Sequence, residues 1–135
     1  MTSVIVVQEK SLKSVMGNKI VIENPKGSYK SFEIENDPVW KDYPLAGVTY
    51  PVDYGYIDGY KSEDGHDLDV FVGSGILNGY IKIWRYDVPI ETKFALNVTQ
   101  KEWDDIIKTF SPVIREQKVF DTTEEFEKAL SLYEK

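Results

Sequence analysis

Three carboxylates and the single histidine of this chain fall within six consecutive residues, Asp64-Gly65-His66-Asp67-Leu68-Asp69. Hard divalent cations such as Mg2+ take oxygen ligands, and carboxylates on a turn that runs into a strand can converge on one. Gly65 lets such a turn tighten. In an extended run, Leu68, Val70 and Val72 share one face and Asp69 takes the other. The chemistry on offer is a divalent cation held at the head of a strand, with a phosphate compound bound through it. The plain alternative is a solvated acidic turn. A calcium loop is excluded, because the Asp-x-Asp-x-Asp-Gly spacing is absent.

Three further segments could join that chemistry. Asp87 and Glu91 flank the turn Val88-Pro89-Ile90, with Lys93 close behind. They read either as one acidic rim or as a polar hairpin tip. Asn24-Pro25-Lys26-Gly27-Ser28, with Lys30 after it, offers a glycine for close backbone approach and lysines for charge, which suits a phosphate. It lacks the spacing and the Gly-Lys-Ser/Thr end of a Walker A loop. Tyr50-Pro51-Val52-Asp53-Tyr54-Gly55-Tyr56 is dense in tyrosine. Its aromatics suit a core or a sheet edge, and its hydroxyls could donate to phosphate oxygens.

The elements that must position these groups are mostly strands. Short β-rich runs occur at residues 3–8, 19–23, 31–35, 68–72, 80–86 and 93–98. Polar and apolar residues alternate in Phe32-Glu33-Ile34-Glu35 and in Tyr80-Ile81-Lys82-Ile83-Trp84. The last third is helical. Thr99-Gln100-Lys101-Glu102 is a capping-box pattern that predicts a helix over 100–109, with Trp103, Ile106, Ile107 and Phe110 on one face. A second helix is expected after Asp121-Thr122-Thr123, burying Phe126, Ala129, Leu130 and Tyr133. The class is α+β, mainly β: a small barrel or curved sheet with helices packed outside it.

At 135 residues the chain has the size of one domain, expected over 1–135, and can bury a core without staples. It has no cysteine, which excludes disulfides, thiolate metal sites and cysteine nucleophiles. The first eight residues lack a basic n-region, and their apolar patch is too short for a signal segment. No run has the length of a membrane span. A cytoplasmic protein without a membrane partner is expected. The net charge of −7 argues against nucleic acid, while metal cations would let an acidic protein bind an anion.

Taken together, residues 20–96 resemble the family I soluble inorganic pyrophosphatases in four ordered places. Glu23-Asn24-Pro25-Lys26-Gly27-Ser28, followed by Lys30-Ser31-Phe32-Glu33, is similar to Glu-x-Pro-Lys-Gly-Ser followed by Lys-Tyr-Glu. Tyr50 to Ile57 is similar to Tyr-Pro-x-Asn-Tyr-Gly-Tyr/Phe-Ile, and Asp64 to Asp69 to Asp-Gly-Asp-Pro-hydrophobic-Asp. Asp87 with Glu91-Thr92-Lys93 is similar to a later Asp and then Asp-x-Lys. The resemblance implies an OB-like five-stranded barrel with flanking C-terminal helices. It implies Mg2+-dependent hydrolysis of pyrophosphate to two phosphates. By position, Asp64, Asp69, Asp87 and Glu91 would be metal ligands, and His66 would stand among them. Tyr54 and Lys93 would contact phosphate, as would Lys26, Lys30 and Tyr50. Glu23 and Glu33 would stand at the rim.

The pattern breaks in several places. His66 stands where the family has a metal-binding, water-activating Asp, and Asp67 where it has Pro. Imidazole suits Mn2+, Co2+ or Zn2+ better than Mg2+. His66 and Asp67 together are the candidates for the water-activating role. If Glu23 and Glu33 are aligned, the family's phosphate lysine falls on Ser31, so Lys30 comes one residue early and would face the other side of a regular strand. Either a bulge restores it or Lys26 substitutes. Asp53 replaces the family Asn. Lys41 is the nearest match to the basic residue before the Tyr-Pro motif, and Arg115 and Lys118 the nearest to a late Tyr-Lys pair. A homo-oligomer is expected. The competing expectation is a barrel of this type that binds or hydrolyses another phosphoanhydride or a nucleotide.

Overall fold

The structure, a computed structural model, describes residues 7–9, 12–15, 18–32, 43–85 and 89–134. In chain order its elements are β1 (Val7–Glu9), β2 (Leu12–Val15), β3 (Asn18–Asn24), β4 (Tyr29–Ser31), β5 (Gly47–Thr49), β6 (Asp53–Lys61), β7 (Asp67–Val72), β8 (Leu77–Ile83), β9 (Glu91–Val98), α1 (Gln100–Phe110), β10 (Ile114–Val119) and α2 (Thr123–Ser131). The chain is α+β and mainly β, as expected. Eight strands form one sheet in the order β1-β2-β3-β6-β7-β9-β8-β10, and β4 pairs with β5 in a second. Among the described residues, the end strands β1 and β10 do not pair with each other.

The middle of the large sheet sets its geometry. β9 lies between β7, to which it is parallel, and β8, to which it is antiparallel. A parallel neighbour needs a crossover connection, and here β8 supplies it. β9 is covered on both faces, so nearly all of it is buried and alternation disappears from its exposure pattern.

The two faces carry separate cores. Tyr54, Phe71, Ile81, Ile83 and Ala95 pack on one face with Trp103, Ile106 and Phe110 of α1. Ile57, Leu68, Val70, Val72, Phe94 and Leu96 pack on the other with Phe126 and Leu130 of α2. The period-2 alternation of β7 therefore places Asp69 on the α1 side with Phe71. In β9 the same rule puts Glu91 and Lys93 on that side with Ala95, and Thr92 on the α2 side with Phe94 and Leu96.

Four strands were not anticipated: the short β2 and β5, and the longer β6 and β10. β6 holds Gly55, Asp58 and Gly59, which depress strand propensity. Gly55 is there because β3 passes close: a Cβ at this position would meet the Val21 carbonyl oxygen at 1.7 Å. β10 is an edge strand with four exposed residues in its middle, so it lacks the apolar alternation that marks a strand in sequence. Of the run expected at 31–35 only Ser31 lies in β4; Phe32 follows outside a strand, and 33–35 lie outside the described residues, as does most of the 3–8 run.

The capping box of α1 forms as expected. Thr99 Oγ1 accepts from the Glu102 N–H at 3.0 Å, and Glu102 Oε1 accepts from the Thr99 N–H at 2.7 Å. Glu102 also accepts from the Ser74 N–H, so it ties the helix start to the β7–β8 turn. Burial disfavours its charge, but these hydrogen bonds more than offset that and hold its carboxyl below the ordinary range. Thr99→Ala is expected to lower unfolding free energy by about 1 kcal/mol in urea titrations. Because the folded pKa of Glu102 is depressed, its contribution is present above the unfolded pKa and fades as pH falls through the folded one. Glu102→Gln should therefore differ from the wild type at neutral pH and converge with it in acid. A gap of constant size down to acid pH would refute this role.

Candidate functional site

Lys93 sits at the centre of the candidate site. It is only 6% exposed, yet it carries a charge. Its Nζ donates to Tyr54 OH at 2.5 Å and to Asp69 Oδ2 at 3.0 Å, and it pairs with Glu91 Oε1 at 3.2 Å. Tyr54 OH in turn donates to Asp69 Oδ2 at 2.6 Å. Burial disfavours the ammonium, but the Tyr54 oxygen, Glu91 and Asp69 more than reverse this and hold the Lys93 pKa well above its usual value. Burial would raise Asp69, but Lys93 and Tyr54 hold it below the ordinary range. Glu91 is raised, chiefly by burial. Burial also pushes Tyr54 well up, and Tyr50 up to about 12, so both phenols keep their protons and can donate. Their rings stack with centroids 4.4 Å apart.

Arg85, just beyond the end of β8, extends this network. Its Nη1 donates to Asp64 Oδ2 at 3.2 Å and to Glu91 Oε1 at 3.3 Å. Two adjoining cavities open here. One, of about 220 Å³, is lined by Glu23, Lys30, Tyr50, Tyr54 and Lys93 together with aromatic side chains including Phe32 and Tyr43. The other, of about 230 Å³, is lined by Tyr56, Asp64, His66 and Asp67. Glu23, Asp69, Arg85 and Glu91 border both.

The acidic turn is shaped by its own backbone. Gly65 adopts φ 82°, a left-handed conformation that suits glycine. The His66 N–H donates to Asp64 Oδ1 at 2.9 Å. The His66 imidazole is exposed and Asp67 pairs with Lys61 at 3.3 Å. On the opposite sheet face, Glu63 accepts from the Thr92 N–H at 2.9 Å and from Thr92 Oγ1 at 2.6 Å. It also accepts from Tyr133 OH at 3.1 Å. Glu63 adjoins Asp64, and Thr92 lies between Glu91 and Lys93. This clamp therefore fixes the acidic turn against β9.

The structure thus brings together Glu23, Lys30, Tyr50, Tyr54, Asp64, His66, Asp67, Asp69, Glu91 and Lys93. A bulge in the β3–β6 pairing falls between Ile22 and Asn24, at Glu23, and bulges of this kind re-aim a side chain. Lys30 lines the aromatic-walled cavity without needing a bulge of its own. Lys26 is exposed and lines neither cavity; its N–H donates to Asp53 Oδ1. Glu33, Lys41 and Asp87 lie outside the described residues. Arg115 packs over the Trp84 ring and Lys118 over Phe120, and neither lines a cavity. Arg85, Glu63 and Thr92 were missed. An isolated arginine after a strand carries no spacing signal, and the Glu63–Thr92 contact joins residues distant in sequence.

Among the described residues, no three His, Asp or Glu side chains close into a metal cage. The donors are chemically suited to a hard cation, since they are carboxylates around one cavity. They are turned instead toward Arg85 and Lys93.

Removing the Lys93 charge should leave Asp69 and Glu91 buried without their shared cation. Lys93→Met is expected to cost about 3 kcal/mol or more of unfolding free energy. Urea denaturation measures it, and a loss below about 1 kcal/mol would show that water, not Lys93, compensates these carboxylates.

The family model described as Inorganic Pyrophosphatase matches residues 7–135. A protein of Corynebacterium glutamicum named inorganic pyrophosphatase is 42% identical over 60 residues, covering 42% of this chain and 38% of that protein. One of the same name from Corynebacterium efficiens is 38% identical over 60 residues, with the same coverage of 42% and 38%. Another from Leifsonia xyli is 39% identical over 56 residues, covering 39% of this chain and 34% of that protein. The chain therefore spans well under half the length of the curated relatives it matches. No solved structure matches it.

Proposed function

We propose, from the premise that this chain belongs to the inorganic pyrophosphatase family, that residues 1–135 act as one domain that hydrolyses inorganic pyrophosphate to two phosphates with the help of divalent metal ions. The observation that carries this reading is the convergence of Asp64, Asp69 and Glu91 with Lys93 and Tyr54 where the two cavities meet.

Asp64, Asp69 and Glu91, with His66 beside them and Asp87 as a further ligand, would hold the metal. A bound divalent cation supplies a water acidified enough to attack phosphorus and neutralises phosphate charge. Mg2+ fits the carboxylates; His66 favours Mn2+ or Co2+. The remaining work falls to the chain's own groups. Lys93 and Tyr54 donate to phosphate oxygens and stabilise charge on the leaving phosphate. Tyr50 and Lys30 bind the distal phosphate along the aromatic-walled cavity, and Glu23 borders it. Lys26 contributes charge at the approach. His66 or Asp67 takes the proton of the attacking water, being the bases at the acidic cavity.

Phosphate release from pyrophosphate should require added metal and be lost in Asp69→Asn. No release with any of Mg2+, Mn2+, Co2+ or Zn2+ would sink the proposal. His66→Asp should raise Mg2+-supported turnover relative to Mn2+, since it restores an anionic oxygen ligand. An unchanged metal profile would remove His66 from the metal site.

A second reading has support in the aromatic lining of the cavity formed by Phe32, Tyr43 and Tyr50. Such a wall suits an organic substituent on a phosphoanhydride, as in a nucleotide. Calorimetric binding of a nucleotide without pyrophosphate turnover would favour it.

A further inference from the structure

Two cations of the site, Lys93 and Arg85, are held in different ways. Lys93 is enclosed: its side chain is 8% exposed and has Tyr54, Asp69 and Glu91 as partners. Arg85 is 25% exposed at its side chain, while its partners Asp64 and Glu91 are only 6% and 3% exposed. Those partners are fixed by backbone. Glu91 is in the central strand, and Asp64 accepts from the His66 N–H. Arg85 is not in a strand, since β8 ends at Ile83. The long side chain is thus the part of this cluster that can move, and the carboxylates are the part that stays. Both cavities border Arg85, so it has somewhere to go.

A guanidinium bridging two carboxylates occupies the oxygens that a hard cation needs. Both cannot use the same lone pairs. Resting on the metal-dependent reading given above, we propose that Arg85 is an exchangeable internal counter-cation. It neutralises Asp64 and Glu91 while no divalent ion is bound, and it gives them up when one binds. Released from the carboxylates, Arg85 turns to the aromatic-walled cavity and meets phosphate oxygens, for which its fork of donors is suited. The exchange makes metal and phosphate binding cooperative. The metal frees the arginine, and the arginine then holds the anion.

The test is a Mn2+ titration of the full chain without pyrophosphate, read as free Mn2+ by electron paramagnetic resonance. Arg85→Gln removes a competing positive charge within a few ångströms of the metal position, so Mn2+ should bind at least about tenfold tighter than in the wild type. In the same variant, KM for pyrophosphate at saturating Mn2+ should rise. Unchanged or weaker Mn2+ binding in Arg85→Gln, or no Mn2+ binding by either protein, would overturn the proposal. A measurement on the wild type guards against a variant that does not fold. The Arg85 side-chain Nε–H resonance should shift as diamagnetic Mg2+ is added, and no shift at Mg2+ concentrations that saturate turnover would also overturn it. The two readings fail separately. Tighter Mn2+ binding without pyrophosphate turnover removes the catalytic reading and keeps the exchange, whereas turnover with unchanged Mn2+ affinity does the reverse.

Discussion

Lys93 keeps its charge where water is nearly absent, and the layout of the site follows from what that requires. A buried ammonium is tolerated only with anionic partners and satisfied donors. Asp69 comes from β7, Glu91 from β9 itself and Tyr54 from β6, so three adjacent strands are committed to one nitrogen. Asp69 and Glu91 can then be brought together at the sheet face without mutual repulsion deciding the outcome. Tyr54 adds a donor and, through its stacking on Tyr50, a stiff wall for the cavity beside them.

The sheet supplies the precision. β9 is hydrogen-bonded on both sides and packed on both faces, so Glu91, Thr92 and Lys93 have little freedom to drift. Strand alternation then divides the labour. Glu91 and Lys93 face the site, and Thr92 faces the opposite side, where it holds Glu63. Glu63 sits next to Asp64, so a contact on one face of the sheet sets the position of a carboxylate on the other. The site is held from behind as well as from within.

Much of this was legible from residue order, for physical reasons that differ by element. α1 announced itself through reciprocal capping chemistry, which is local and leaves a four-residue signature. β7 could be placed, with Asp69 on the face away from Leu68, Val70 and Val72, because alternation is a period-2 rule. β6 and β10 were hidden. The glycines of β6 answer to the close approach of β3, a tertiary fact, and the charges of β10 answer to its place at the edge. Arg85 was hidden for the same reason as the Glu63–Thr92 clamp, because its role exists only through partners brought near by folding. Despite the one-residue offset, Lys30 lines the cavity with Tyr50 and Tyr54, whereas among the described residues the Lys26 side chain lines neither cavity.

The parallel pairing of β7 with β9 also bears on the order in which the molecule assembles. Asp69 and Lys93 are 24 residues apart, and Glu63 and Tyr133 are 70 apart. Contacts of such long sequence separation form late, because chain entropy must be given up before they reward it. During synthesis, Asp64 and Asp69 emerge ahead of Arg85 and Lys93, the cations that neutralise them. The clamp on Glu63 cannot close until Tyr133 has left the ribosome. The nascent chain therefore carries these carboxylates uncompensated until Arg85 and Lys93 follow, and Glu63 gains its Tyr133 hydrogen bond only once the segment after α2 docks.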